Sequence, residues 1–382
     1  MNELDRSGAL KVLFLFPGPR WDVVHEFASR LEAFQTRIQP VFFTSADKDY
    51  DESIGRGRLI AFDYRANTGL HKKLVYYLRY SIRAIQCFAR FSRESGKFDL
   101  IVSYDPLATG LVGLLLKYRF RTRLICEING VYEDRALYDD KKFTKLKQGL
   151  NSTIQDLVLR RADGIKTLFD GQIKLPPAQK AKVVTFFNHV ETDHFYTAEG
   201  GNVVLGIGAP FFVKGFDLLV NAFRELQPKH PDWRLVLVGY FDEESEAVEK
   251  VVSGIPNVHV MRAVYHRDLP PVMADSSIVV LPSRSEGMGR VLIEAMFARK
   301  ARVGARVGGI PTVIRDGIDG LLFEKENTVS LVEQLDRLMG DPVLRHELAR
   351  EGERRARRDF SLSCYIERYC SFFETVHAPG GD

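Results

Sequence analysis

No stretch of this chain is apolar enough to cross a bilayer. The longest candidate, Leu107 to Leu116, is about half the length, roughly 20 residues, that a spanning helix needs, and it follows Asp105-Pro106. A secretory signal is also missing, because the first apolar run, Val12 to Phe16, is short and breaks at Pro17-Gly18-Pro19. Cysteine is scarce. The four residues Cys87, Cys126, Cys364 and Cys370 show no C-x-x-C spacing, which argues against a disulfide framework or a thiolate metal centre and points to reduced thiols. These absences read together as a cytoplasmic protein. Charge of one sign is not in large excess either: the formal net charge is +4, and no nucleic-acid partner is expected.

What is present is ordinary in amount and uneven in distribution. A hydrophobic fraction of 45% with 27% charged residues over 382 positions suits two soluble domains with full cores. Residues 1–200 hold 31 Lys and Arg against 24 Asp and Glu, whereas residues 201–382 hold 23 against 26. The basic surplus therefore belongs to the first half, where it suits an anionic membrane surface, an acidic acceptor or a solvated face without a partner. Short apolar runs alternate with helical periodicity: strands are expected at Lys11–Phe16, Ile38–Phe43, Phe98–Ser103, Leu124–Gly130 (its end a loop), Val203–Gly208, Leu235–Gly239, His259–Met261 and Ile278–Leu281. Such alternation predicts parallel, doubly wound α/β sheets.

The segment from Leu281 to Phe323 is the most informative. Pro282 stops a buried strand, Ser283 to Gly289 form a loop, and from Met288 the residues Val291, Leu292, Ala295, Met296 and Ala298 recur at helical spacing. The unpaired N–H groups of that helix start at the end of a parallel strand form an anion site. Glu286 is placed before the helix and Glu294 on its second turn, so the pair can grip two ends of one polar ligand. An isolated E-x7-E is more often two surface acids. Here the surroundings decide.

Glu286 to Glu294, followed by Val307-Gly308-Gly309-Ile310-Pro311 and Asp316-Gly317-Ile318-Asp319-Gly320, resembles the donor-binding signature of family 4 retaining glycosyltransferases (glycosyl transferases group 1). The resemblance extends upstream through Lys214-Gly215-Phe216-Asp217 and Asn188-His189-Val190-Glu191, so it covers the C-terminal half. It implies a GT-B fold: an acceptor-binding Rossmann-like domain over residues 1–196, a nucleotide-sugar domain over 197–358 facing it across a cleft, and a helix within 359–382 that crosses back to the first domain. It implies a hexosyltransferase that moves a sugar from a UDP- or GDP-sugar onto a glycan or lipid-linked acceptor in cell-surface polysaccharide or glycolipid synthesis. No cofactor and no metal are expected. By the same resemblance Glu294 holds the ribose, Glu286 the transferred sugar, the Gly287, Met288 and Gly289 backbone the sugar and phosphates, and Lys214 the diphosphate. Gly18 falls where such enzymes bring first-domain backbone near the donor phosphates.

Two positions depart from the pattern. The usual His-Gly at the end of the strand Leu124 to Ile128 is Asn129-Gly130, so the residue assigned to the donor sugar and the reaction centre keeps hydrogen-bonding capacity but has no titratable ring. The second phosphate-binding cation is replaced by Ala209, with Arg20, Arg284 and Arg290 as candidate substitutes. That loss keeps a second reading open, a catalytically weak nucleotide-sugar-binding partner subunit on the same fold. Asp49-Tyr50-Asp51 is read as part of a polar loop, Thr44 to Gly57, and not as a metal-binding D-x-D. His71 to Arg93 reads as a long amphipathic helix with Leu74, Tyr77, Leu78, Ile82, Ile85 and Phe88 opposite a basic face. Two fates fit it: packing on the sheet with charges outward, or lying with Lys141, Lys142, Lys145 and Lys147 on the anionic inner face of the plasma membrane.

Overall fold

The computed structural model describes residues 9–18, 23–64, 70–131, 144–174 and 181–378. These residues form two compact units. One contains the described residues up to Asn129, those from Thr144 to Phe186 and those from Leu362 onward; the other contains Gly130, Val131 and the run from Phe187 to Ser361.

The first unit is built on strands β1 (Lys11–Leu15), β2 (Gln39–Ala46), β3 (Tyr50–Ile54), β4 (Gly57–Asp63), β5 (Leu100–Ser103), β6 (Arg123–Glu127), β7 (Gly164–Thr167) and β8 (Lys182–Thr185), in the order β3-β4-β2-β1-β5-β6-β7-β8. Only β3 runs antiparallel to its neighbour. Its helices are α1 (Val23–Phe34), α2 (Leu70–Ser95), α3 (Ala108–Phe120) and α4 (Thr144–Leu159). Central strands such as β1 and β5 are buried along nearly their whole length, which is why they read as unbroken apolar runs.

Three details differ from the sequence reading. Thr44 to Gly57 is not a polar loop, because β2 continues to Ala46 and β3 pairs with β4. Tyr50 and Ile54 pack on the core, Asp49 accepts from the Asp63 N–H at 2.7 Å, and Asp51 pairs with Arg58 at 2.7 Å and Arg90 at 2.8 Å. The D-x-D carboxylates are thus spent on the hairpin and on α2. The second is α4, over residues to which the sequence reading assigns no element. Its mixed run of Lys145, Gly149, Asn151, Ser152 and Thr153 shows little periodicity, yet its end buries Val158 and Leu159, and tertiary packing overrides weak propensity. The third concerns the face of α2. The helix buries Tyr76, Tyr80, Ala84, Phe88 and Phe91, while Tyr77, Leu78 and Ile82 are exposed. Buried tyrosines need partners, and this face supplies them: Tyr80 donates to Phe16 O at 2.8 Å, and the Tyr76 hydroxyl meets Ser45 Oγ at 3.0 Å.

The second unit is a six-stranded parallel sheet of β9 (Val203–Ile207), β10 (Arg234–Gly239), β11 (Val258–Arg262), β12 (Ile278–Leu281), β13 (Ala301–Ala305) and β14 (Leu321–Phe323), ordered β11-β10-β9-β12-β13-β14. Its helices are α5 (Phe216–Leu226), α6 (Ser245–Val252), α7 (Leu269–Ala274), α8 (Arg290–Phe297), α9 (Ile310–Val313), α10 (Thr328–Gly340) and α11 (Pro342–Asp359). Local sequence sets several of their starts. The Asn327 side chain caps α10 by accepting from Ser330 N at 3.0 Å, and Asp341 caps α11 ahead of Pro342 by accepting from Leu344 N at 2.9 Å.

The last helix, α12 (Leu362–His377), belongs to the first unit. It buries Tyr365, Ile366, Tyr369, Phe372 and Phe373 in the core that holds Phe14 and Phe34. The Phe34 and Tyr369 rings stand edge to face at 5.6 Å. The contact boundary falls between Phe186 and Phe187, ahead of the position 196 read from the sequence. Residues after it already pack on the second unit, where Phe187 meets Phe360 at 5.0 Å and Phe195 meets His266 at 5.7 Å.

Candidate active site in the second unit

β9 and β12 are neighbours in the sheet, but the chain leaves β9 for β10 on one side and builds β12 to β14 on the other. Loops that leave the carboxyl ends of two such strands diverge, and the crevice between them is where open parallel sheets bind ligands. Lys214 lies on the loop after β9 and Glu286 on the loop after β12. Two glycines bring them together. Gly215 has φ 70°, and a Cβ there would stand 2.0 Å from Pro282 O, so only glycine lets the turn before α5 pack on the β12 loop. Gly308 has φ 52°, and its Cβ would stand 1.8 Å from Glu286 O, while Gly309 N donates to that same oxygen at 3.3 Å.

Lys214 Nζ consequently donates to Glu286 Oε2 at 2.7 Å, and Ser283 Oγ lies 3.4 Å from the same oxygen. Both charged side chains are largely buried, 20% and 14% exposed. A lysine ammonium has three hydrogens, so this pairing leaves two for a ligand. Next along the chain, α8 begins at Arg290, two residues later than its periodicity predicts, with Gly289 at φ 74° as its N-cap and no capping side chain. Among the described residues no acceptor takes the N–H groups of Gly287, Met288 or Gly289. This is a helix start with free donors beside a lysine, an arrangement that attracts anions.

Glu294 sits one turn further on and is 5% exposed. Its Oε1 meets His266 Nε2 at 3.0 Å and lies 3.9 Å from an Arg290 nitrogen. An ionised carboxylate only accepts, so His266 Nε2 is the donor, and Oε2 is left without a partner among the described residues. His266 lies in the turn after β11, wedged edge to face against His194 at 4.9 Å. It is the site residue that sequence reasoning missed. Separated from Glu294 by 28 positions, it carries no spacing signal.

Among the substitutes for the cation absent at Ala209, Arg284 is spent. It is 7% exposed, makes a bidentate pair with Asp217 at 2.7 and 2.8 Å, donates to Phe212 O at 2.5 Å and stacks on the Phe212 ring at 3.9 Å. Arg290 is 63% exposed at the start of α8 and is free to turn toward an anion there. Arg20 lies outside the described residues. Ala209 itself is exposed.

Gly18 and Asn129 belong to the first unit. A Cβ at Gly18 would stand 2.2 Å from Ser45 Oγ, and its N–H meets the Tyr76 hydroxyl at 3.2 Å, so close packing alone accounts for a glycine there. Asn129 Nδ2 donates to Tyr104 O and to Glu127 Oε2, both at 2.8 Å.

Residues 191–355, the segment carrying this site, match the family model described as glycosyl transferases group 1. That segment of the second unit belongs to the family. An uncharacterised glycosyltransferase of Methanocaldococcus jannaschii is 28% identical to this glycosyltransferase over 264 residues, 68% of this chain and 71% of the relative. Other curated relatives are matched over about half of their length, 47% for two of them. Sucrose-phosphate synthase from Thermosynechococcus elongatus has a TM-score of 0.77 at 16% identity, over 97% of this chain and 99% of that one. The HepE protein of Anabaena, solved in complex with UDP-glucose, has a TM-score of 0.71 at 16% identity, over 97% and 100%. The fold of this glycosyltransferase is GT-B, two Rossmann-like parallel-sheet domains.

Proposed function

We propose that this glycosyltransferase moves a sugar, with retention of configuration, from a nucleoside diphosphate sugar to a glycan or lipid-linked acceptor held by its first unit, in cell-surface polysaccharide or glycolipid synthesis. One observation carries the reading: Lys214 meets Glu286 where the loops after β9 and β12 come together, directly ahead of the N–H groups of Gly287 to Gly289, for which the described residues supply no acceptor, and of Glu294 on α8. In the reading, Glu294 Oε2 accepts from the ribose hydroxyls while His266 fixes the other oxygen. Lys214, Arg290 and the start of α8 face the diphosphate, and Glu286 accepts from hydroxyls of the departing sugar. As the sugar leaves, negative charge grows on the diphosphate, and donors already fixed in place stabilise it without reorganisation. Same-face attack by the acceptor requires no protein nucleophile. HepE, which is solved with UDP-glucose, supports a uridine nucleotide as the first choice. Incubation with a panel of UDP- and GDP-sugars is expected to release free nucleotide from one donor class, faster when acceptor is present. Binding without release from any of them would favour the partner-subunit reading.

The finer reading of location is a cytoplasmic protein attached to an anionic membrane surface. No helix among the described residues is long and apolar enough to cross a membrane. What supports attachment is the outer surface of three helices of the first unit, α3 packing against both α2 and α4. Leu78 and Ile82 of α2, Leu115 and Tyr118 of α3 and Leu150 of α4 are 45–61% exposed, and exposed Arg79, Arg83 and Arg119 lie among them. Apolar side chains with interleaved cations suit the headgroup boundary, each basic residue near the surface contributing about 1 kcal/mol. Lys141 and Lys142 lie outside the described residues. In liposome flotation, binding is expected to rise with anionic lipid content, to fall with salt, and to drop at least tenfold in Leu78→Glu/Ile82→Glu. Binding indifferent to lipid charge and to these changes would remove this location.

A further inference from the structure

Away from the crevice of Lys214 and Glu286, which lies at the carboxyl ends of β9 and β12, the amino-terminal ends of β9, β12 and β13 border a cavity of about 340 Å³ in the same unit. Its walls come from the segment before β9, the serines before β12, the residues that join α8 to β13, and the first turns of α11. Its charge is one-sided: Arg299, Lys300 and Arg345 line it, together with His346, against a single acid, Glu199. Lys300 is 2% exposed and donates to Ala274 O at 2.7 Å and Ala198 O at 2.9 Å, which leaves one of its three hydrogens. Arg345 commits only Nη1, to Leu338 O and Met339 O at the end of α10, and lies over the Trp233 ring at 5.2 Å. Its Nε and Nη2, the two donors of one guanidinium edge, have no acceptor among the described residues. Arg299 gives Nε to Glu353 and keeps both terminal nitrogens.

Such a cluster is costly without a counter-ion. Burial pushes the Lys300 ammonium down to about 8 against the pull of the Asp275 charge, and burial lowers the Arg345 guanidinium against that of Asp341. Neither acid lines the cavity. Arg299 stands at φ 53° just past α8, in the left-handed region where glycine is the usual residue, so a cation is kept there at a backbone cost. An anion in the cavity would offset the electrostatic cost. We propose that the cavity binds the phosphate group of a small-molecule effector, with the Arg345 edge, the Arg299 terminus and the remaining Lys300 hydrogen donating to its oxygens. Planar forks favour an oxyanion that accepts bidentately, and several full charges suit a phosphate dianion better than a carboxylate. The effector role follows from α8. That helix starts beside Gly287 to Gly289, carries Glu294, and is followed at once by Arg299 and Lys300, so one short helix joins the crevice to the cavity. This part of the inference rests on the nucleotide reading of the crevice.

The test is calorimetry on the full chain in phosphate-free buffer, with glycerol 3-phosphate and inorganic phosphate as probes. Glycerol 3-phosphate is expected to bind, to keep that binding in Lys214→Ala, and to lose about tenfold or more in affinity in Arg345→Gln and in Arg299→Gln, with thermal unfolding confirming that both variants fold. Lys300 is left intact because its ammonium holds two carbonyls inside the fold. At saturation the probe is expected to change UDP affinity about fivefold or more, and UDP to change the affinity of the probe by the same factor. Equal affinity for inorganic phosphate would identify the free ion as the occupant, and tighter binding of the ester a phosphorylated metabolite. No binding of either probe, or binding lost in Lys214→Ala and kept in the two arginine variants, would overturn the site. UDP affinity unchanged by the bound probe would reject the effector role. If UDP itself does not bind, the nucleotide reading falls, while the phosphate titrations still decide the site.

Discussion

Lys214→Ala is expected to lower kcat by about a hundredfold, the scale of losing one fixed donor to the charge that develops in the transition state. The argument begins with the resting partner. Lys214 spends one hydrogen on Glu286 and has two left, beside the unpaired N–H groups at the start of α8 and with exposed Ala209 offering no second cation. Arg284 cannot compensate, because its guanidinium is consumed by Asp217, Glu326 and Phe212 O. On the proposed reading Lys214 is the principal side-chain charge facing the leaving group, and Arg290→Ala is expected to cost less than Lys214→Ala. Since Ala209 is open to solvent, Ala209→Arg fits without displacing neighbours and should raise turnover if the missing fork limits the rate. Steady-state rates of nucleotide release for these variants decide the matter. Unchanged kinetics in Lys214→Ala would place the diphosphate elsewhere.

Glu294→Ala should weaken binding of bare UDP or GDP about ten- to a hundredfold, while Glu286→Ala should leave that affinity within a few-fold and reduce transfer instead. The two acids differ in their surroundings. Glu294 is almost wholly buried with one oxygen fixed by His266 and the other open, which makes it a rigid acceptor for a vicinal diol. Glu286 is tied to Lys214 through its side chain and to the Gly308-Gly309 loop through its backbone oxygen, and in the proposed reading it faces the sugar and not the nucleoside. His266→Ala should reproduce part of the Glu294→Ala loss, since it frees the carboxylate to rotate without removing it. Calorimetry on the three variants reads this directly, and equal losses of nucleotide affinity for Glu286→Ala and Glu294→Ala would sink the division of labour.

The second sheet and its loops were legible because their signals are local. Residues 278–281 form an unbroken apolar run because both faces of β12 are covered, and Pro282, Gly287 and Gly289 mark the exit from the strand and the start of α8 within a dozen positions. The glycines at 215 and 308 were legible only as members of the Lys214-Gly215-Phe216-Asp217 and Val307-Gly308-Gly309 motifs; the positive φ and the close approach to Pro282 O and Glu286 O that require them are tertiary. In the first unit β1, β2, β5 and β6 were equally plain, but β3 reads as a polar loop because its residues are largely exposed, and the helix α4 rests on packing of Val158 and Leu159 and not on periodicity.

By itself, then, the sequence determined the alternation of strands and helices, the glycine turns and the order of the candidate ligand groups along the chain, because backbone conformation and burial act over a few residues. Only the tertiary structure decided who meets whom. Lys214 and Glu286 are 72 positions apart, His266 and Glu294 28, Glu127 and Tyr369 242, and the side chains joined in each pair have no common period that a pattern could reveal. Hydrogen-bond demand inside the fold made the remaining choices. Tyr76 and Tyr80 turned α2 so that Leu78 and Ile82 face outward, Asp51 became a partner for two arginines, and Arg284 was taken by Asp217. A buried polar group must find a partner wherever the fold supplies one, and that search is settled in three dimensions and not along the chain.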